Sequence, residues 1–187
     1  KISDRPPPRL IVGTDLFAYA DPAVREALDG PLEQVYAVTH DHTEVDVAPE
    51  GIETWFGHQA VLQGREAWET FGDWIDGTDP RFGFEVAENF LIGRNWSDDA
   101  RTEAMAARPA YRSRVEELLG DDGVIALPTT PFPAPPRGET RSAQKAQRFR
   151  VIAMTCISGL AGTPQINLPL ATVDGRPQGL SLIGPRG

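Results

Sequence analysis

The closing run "SGLAGTPQINLPLATVDGRPQGLSLIGPRG", from Ser158 to Gly187, constrains the fold of this chain more than any other stretch. Gly159 and Gly162 stand where a helix can stop, and Pro164 cannot supply the amide needed to resume it. "QINLPL" then reads as a strand, and Pro169, which cannot donate to a ladder, places that strand at a sheet edge or at a bulge. Asp174-Gly175 supplies a tight turn, and "GLSLIG" follows as a second apolar strand suited to burial beneath helices. A strand pair of this kind belongs inside a sheet, so the remaining residues have to provide its neighbours and its cover.

They do so in alternation. "RLIVGTDLF" (Arg9 to Phe17) reads as a strand, and Asp21-Pro22 as the cap and first position of a helix through "AVREALDGPLEQVYAV". "TEVDV" (Thr43 to Val47) alternates like a half-buried strand, and "GIETWFGHQAVLQGREAWETFGDWI" spaces its apolar residues as a helix does. "FGFEVAENFLIG" ends on Gly93, read as a C-cap. "SDDARTEAMAARPAYRSRVEELLG" opens on a Ser97 cap, closes on Gly120 and carries a kinking Pro109. A strand "GVIALP", a stiff loop "PTTPFPAPPRG" and a helix from about Thr140 to Leu160 lead into the closing pair. The expectation is an α/β fold, a mixed sheet with helices on both faces, formed by residues 1–187 as a single partial domain. Residues 1–8 read as a linker entering the first strand.

Several function classes are excluded or disfavoured at this level. A net charge of −9 does not suit nucleic acid, whose affinity rests on Lys and Arg releasing counterions. The lone cysteine, Cys156, cannot form an internal disulfide, which fits the cytoplasm. No apolar run reaches the roughly 20 residues that cross a bilayer, and no cofactor motif is present.

Local motifs carry little chemistry of their own. "SAQK" places Ser142 three residues before Lys145, the spacing in which a lysine can activate a serine, but a serine at a helix start serves chiefly as a cap. His40, Asp41, His42 and Asp46 are metal-compatible, yet no further ligand stands at a recognised spacing, so no metal is expected. His58 reads as a satisfied, partly buried histidine, and Cys156 as a small hydrophobe. The aromatic residues Trp55, Phe56, Trp68, Phe71 and Trp74 fall at partly helical spacing, which suits core packing for most and a pocket wall for a minority. The loop after "GVIALP" leaves the carboxyl end of a strand, where α/β folds place binding sites; Thr129 and Thr130 bring hydroxyls and Phe132 an apolar wall, the equal alternative being a rigid turn whose side chains cap its own backbone.

The order "VIALPTTPFPAP", then a helix ending "SGLAGTPQINLPL", then "DGRPQGLSLIGPRG" resembles the C-terminal half of amidase signature hydrolases, and within them the acyl-amide and indole-3-acetamide hydrolases. The resemblance extends from "RLIVGTDLF" through the "QGREAWETFGDWI" helix to the end. It implies amide cleavage by a serine nucleophile, a second, bridging serine and a lysine base, all in the N-terminal part of the domain. Those motifs have no counterpart among the six serines (Ser3, Ser97, Ser113, Ser142, Ser158, Ser181) and two lysines (Lys1, Lys145) present. No catalytic residue is therefore assigned, and the chain is expected to be a fragment or one part of a divided enzyme. The resemblance also implies that the aromatic helix borders the acyl cavity, which adds Trp55 and Phe71 to the loop residues Thr129, Thr130 and Phe132 as substrate-binding candidates. The implied partners are a small-molecule amide, the remaining N-terminal half and, in an oligomer, further copies. The alternatives are an idle amidase-like docking domain and an amidotransferase A-type subunit.

Overall fold

The apolar run Leu10–Val12 is the heart of the first strand, β1 (Arg9–Gly13), in a computed structural model that describes residues 9–186. The proline-rich residues read as a linker lie outside the described residues, as do Ser3, Lys1 and Gly187. β1 is shorter than its sequence suggests, because Thr14–Tyr19 turns into a short helix, α1. The reason is Asp15, whose carboxylate accepts hydrogen bonds from the amides of Val47 at 2.9 Å and Ala48 at 2.7 Å. That pair of bonds also takes residues 47 and 48 out of any ladder. The second strand, β2, accordingly lies at Asp41–Val45, two residues ahead of the expected Thr43–Val47.

Between them runs α2 (Pro22–Tyr36), opened by Asp21 and by proline at its first position. Three helices follow β2: α3 (Ile52–Thr78), α4 (Phe84–Asn95) and α5 (Asp98–Leu119). Ser97 caps α5 by accepting from the Ala100 amide, and Gly120 ends it with a φ of 53°. Gly93 is not the terminator of α4 that the sequence suggests. It sits inside the helix, where its backbone packs on Gly64 of α3 closely enough that a Cβ would lie 3.2 Å from the Gly64 Cα. Strand β3 (Gly123–Pro128), helix α6 (Arg141–Ala161) and strands β4 (Gln165–Val173) and β5 (Arg176–Ile183) complete the order.

The five strands form one mixed sheet in the order β2-β1-β3-β5-β4. β1 pairs parallel with both β2 and β3, while β5 runs antiparallel to both β3 and β4. Because successive side chains alternate across a sheet, the two faces sort cleanly. Leu10, Val12, Ala126 and Leu180 meet Val24, Leu28 and Val35 of α2. Ile11, Ile125, Leu127 and Ile183 meet the larger cluster built by α3, α5 and α6. Pro169 falls in a register shift between Leu168 and Ala171 on the outer strand β4, combining the two placements that proline tolerates.

Candidate functional site

β3 is buried along most of its length and delivers the "PTTPFPAP" loop to the carboxyl end of the sheet's middle. Two backbone hydrogen bonds fix that loop. The Thr129 amide donates to the Gly179 carbonyl on β5, and the Asp21 amide, at the start of α2, donates to the Pro131 carbonyl, each at 2.8 Å. With proline restricting φ at 131 and 133, the loop has few conformations left.

Thr129 is the centre of a polar cluster. Its hydroxyl donates to Asn167 Oδ1 at 2.6 Å and lies 2.8 Å from the Ser181 Oγ. A hydroxyl has one proton, so Ser181 is the donor of the second bond. Ser181 is fully buried; Asn167, on the outer strand, is exposed, and its amide NH2 has no partner among the described residues. Gly179 makes the cluster possible. A Cβ there would stand 2.8 Å from Thr129 Oγ1 and would overlap Asn167 Oδ1.

Thr130 is held differently. Its hydroxyl donates to the Phe132 carbonyl at 2.9 Å, and its own carbonyl accepts from the buried Gln178 Nε2 at 2.9 Å. Phe132 is half-buried, with the Arg150 guanidinium 5.3 Å from its ring centre. Arg150 in turn donates to the Tyr19 carbonyl and to Asp21 Oδ1, at 2.9 and 2.8 Å, so the cation over the ring is itself anchored. The result is a rigid rim with hydroxyls and an exposed amide on one side and an aromatic wall on the other.

The structure thus brings Thr129, Thr130 and Phe132 together, and treats the two aromatic helix residues differently. Trp55 is 1% exposed; it stacks on Tyr111 at 4.4 Å and donates its indole NH to Glu50 at 3.0 Å. Phe71 is 48% exposed and meets Phe90 edge-on. Sixteen residues of helix separate them, about 24 Å, so they do not line one small pocket together.

The other motifs resolve into structural parts. Thr140, not Ser142, caps α6, and Ser142 hydrogen bonds with Thr140 instead. Lys145 pairs with Glu88 at 2.9 Å on the surface. His58 Nδ1 lies 2.7 Å from the Tyr111 hydroxyl, and His42 packs on Tyr36. Burial pushes the Cys156 thiol up to about 12, leaving it a poor nucleophile. Sequence reasoning misses Asn167, Gln178, Gly179, Ser181 and Arg150. The one local signal is at Ser181, a small polar residue at an inward position between Leu180 and Leu182; the others depend on long-range pairing.

Comparison with known proteins gives the family of the chain. The family model described as Amidase matches residues 12–187. The chain belongs to the amidase signature family. Amidase 1 of Arabidopsis thaliana is 28% identical over 127 residues, spanning 68% of this chain and 30% of the relative. The A-type subunit of the glutamyl-tRNA(Gln) amidotransferase of Halobacterium salinarum is 33% identical over 124 residues, spanning 63% and 28% respectively. A crystal structure of an amidase superposes with a TM-score of 0.79 at 26% identity, covering 100% of this chain and 44% of that one. The chain therefore spans less than half the length of each of these amidase-family proteins. Within this amidase-family chain, no described serine hydroxyl has a lysine or histidine as its hydrogen-bond partner.

Proposed function

We propose that this chain forms the substrate-facing half of an amidase that converts carboxylic amides to acid and ammonia or amine. The observation that carries the reading is the amidase family match, which runs through the rigid Thr129–Phe132 rim and on through β5. In this reading a serine from the N-terminal half of the domain, with its bridging serine and lysine base, attacks the amide carbon. The amine leaves, an acyl-enzyme remains, and water releases the acid. The residues in hand shape the acyl site: Thr129 with the exposed Asn167 amide offers polar groups, Thr130 holds the loop through the Phe132 carbonyl, and Phe132 is an apolar wall. The reading includes a cytoplasmic setting, supported by the lone unpaired cysteine; no described helix is long and apolar enough to cross a membrane. It also includes pairing with the other half of the domain, supported by the exposed Ile166 and Leu170 of the outer strand.

The test is Phe132→Ala in the complete enzyme, with kcat/KM measured for a small, a linear and an aromatic amide. A pocket wall changes discrimination by about 1–3 kcal/mol while sparing the small amide. Losses that are uniform across the three substrates and follow the fall in Tm would remove Phe132 from the site. A serine-reactive fluorophosphonate should label the complete enzyme once, outside this chain, and leave the isolated chain unlabelled. No labelling of the complete enzyme would favour an idle docking domain.

A second reading, an amidotransferase component, rests on the 33% identity to the A-type polypeptide of the tRNA-dependent enzyme. There the freed nitrogen passes to an acceptor instead of to solvent. Ammonia release by the complete enzyme without any partner protein favours the hydrolase.

A further inference from the structure

Away from the rim, α3, α5 and the carboxyl end of α6 enclose a groove of about 500 Å³. It lies toward the opposite end of the sheet: Gln165, just after α6, is in register with Ile183, and Ile183 with Ile125. Ile125 precedes Thr129 by four residues, about 13 Å of strand. The groove has an apolar floor that includes Leu62 and Leu160, and four arginines, Arg101, Arg108, Arg112 and Arg186, stand around it against a single carboxylate, Glu66. In a chain of net charge −9 this is a local reversal of sign.

The four cations are not equivalent. Arg101 is paired with Glu69 at 2.9 Å and Arg112 with Glu116 at 2.7 Å. Arg108 and Arg186 have no carboxylate partner among the described residues. They are held by carbonyls instead: Arg108 Nε donates to Leu160 at 3.2 Å, Arg186 Nε to Gly162 at 2.6 Å and Arg186 Nη2 to Ala161 at 3.1 Å. Those carbonyls end α6, where the helix has unpaired acceptors and favours positive charge. Gly162 admits the contact, since a Cβ there would overlap Arg186 Nη2. Each guanidinium is therefore positioned through some of its N–H groups while others stay undirected. Anchored arginines lose little freedom on meeting an anion, and their planar fork suits a carboxylate or phosphate.

We propose that this groove binds a small organic oxyanion, a carboxylate or phosphate ester joined to an apolar body, with Arg108 and Arg186 on the charged end and Leu62 and Leu160 beneath the body. The site is separate from the amide-cleaving function and does not rest on it.

Calorimetric titration of the protein with phenyl phosphate, phenylacetate and inorganic phosphate tests this. Saturable binding of phenyl phosphate or phenylacetate at one site is expected, with the preference between them identifying the headgroup. Inorganic phosphate, lacking an apolar body, should bind about tenfold more weakly. Arg186→Gln or Arg108→Gln should weaken phenyl phosphate or phenylacetate about tenfold, and Glu66→Gln should tighten it about threefold, a gain that misfolding does not produce. No saturation at millimolar concentrations, or binding indifferent to both Arg186→Gln and Glu66→Gln, would overturn the proposal. So would an acidic peptide that occupies the groove while phenyl phosphate fails to compete.

Discussion

Gly93 of α4 rests directly on the main chain of Gly64 of α3, with the Gly64 carbonyl oxygen and Cα both inside the space a side chain on Gly93 would need. This contact sets how closely the two helices approach. Gly93→Ala forces the backbones apart and is expected to cost about 1–3 kcal/mol, as overpacking does. Gly57→Ala, on the same helix α3 with nothing within 4 Å of the new Cβ, should instead stabilise by about 0.5–1 kcal/mol. Urea midpoints of the two variants check the pair of opposite signs.

Thr129 should behave as a hydrogen-bonding residue and not as a filler. Thr129→Val keeps the volume but leaves Ser181, fully buried, without its hydroxyl partner, and an unmade buried bond costs about 1–3 kcal/mol. Thr129→Ser retains the bond and should recover most of that loss. If valine and serine variants melt together, the cluster contributes nothing to stability.

The Cys156 thiol is 4% exposed and pushed up to about 12 by burial. At pH 8 the thiolate fraction of such a group is about one in ten thousand. The folded protein should resist a thiol-specific reagent, and denaturant should release one reactive thiol per chain. Rapid stoichiometric labelling under native conditions would contradict this.

Tyr19 contributes to the pH dependence of stability on the alkaline side. Burial, then its hydrogen bond to Glu53 at 3.0 Å, pushes its hydroxyl up to about 12 from the usual 10. Between those values the unfolded chain releases a proton that the folded chain keeps. The contribution to stability is therefore complete below pH 10 and is lost as pH rises towards 12. Tyr19→Phe should flatten this part of the stability profile, as measured by urea unfolding at successive pH values.

What is legible in the sequence is local. Ser97 and Gly120 bound α5, Gly162 and Pro164 end α6, and Asp174-Gly175 joins β4 to β5, because each acts on its own neighbours. Apart from the cap of α6, which falls to Thr140 and not to Ser142, the departures come from contacts distant in sequence. Asp15 reaches across to residues 47 and 48 and so shortens β1 and shifts β2. Gly93 reads as a terminator because its partner, Gly64, lies 29 residues earlier. At the rim, Thr129, Thr130 and Phe132 are readable from their place after a strand. The Asn167 and Ser181 partners of Thr129 require the register of β4 and β5.

The sheet order also has a consequence for synthesis. β3 sits between β1 and β5, with Arg9 opposite Gly123 on one side and Ile183 opposite Ile125 on the other. A ribosome releasing this chain from its amino end exposes Ile125 and Leu127 well before residues 180–183 leave the exit tunnel. Contacts this far apart in sequence also close slowly. The interval in which a nascent chain carries a central strand open along its β5-facing edge is therefore long, and chaperone holding matters in that interval.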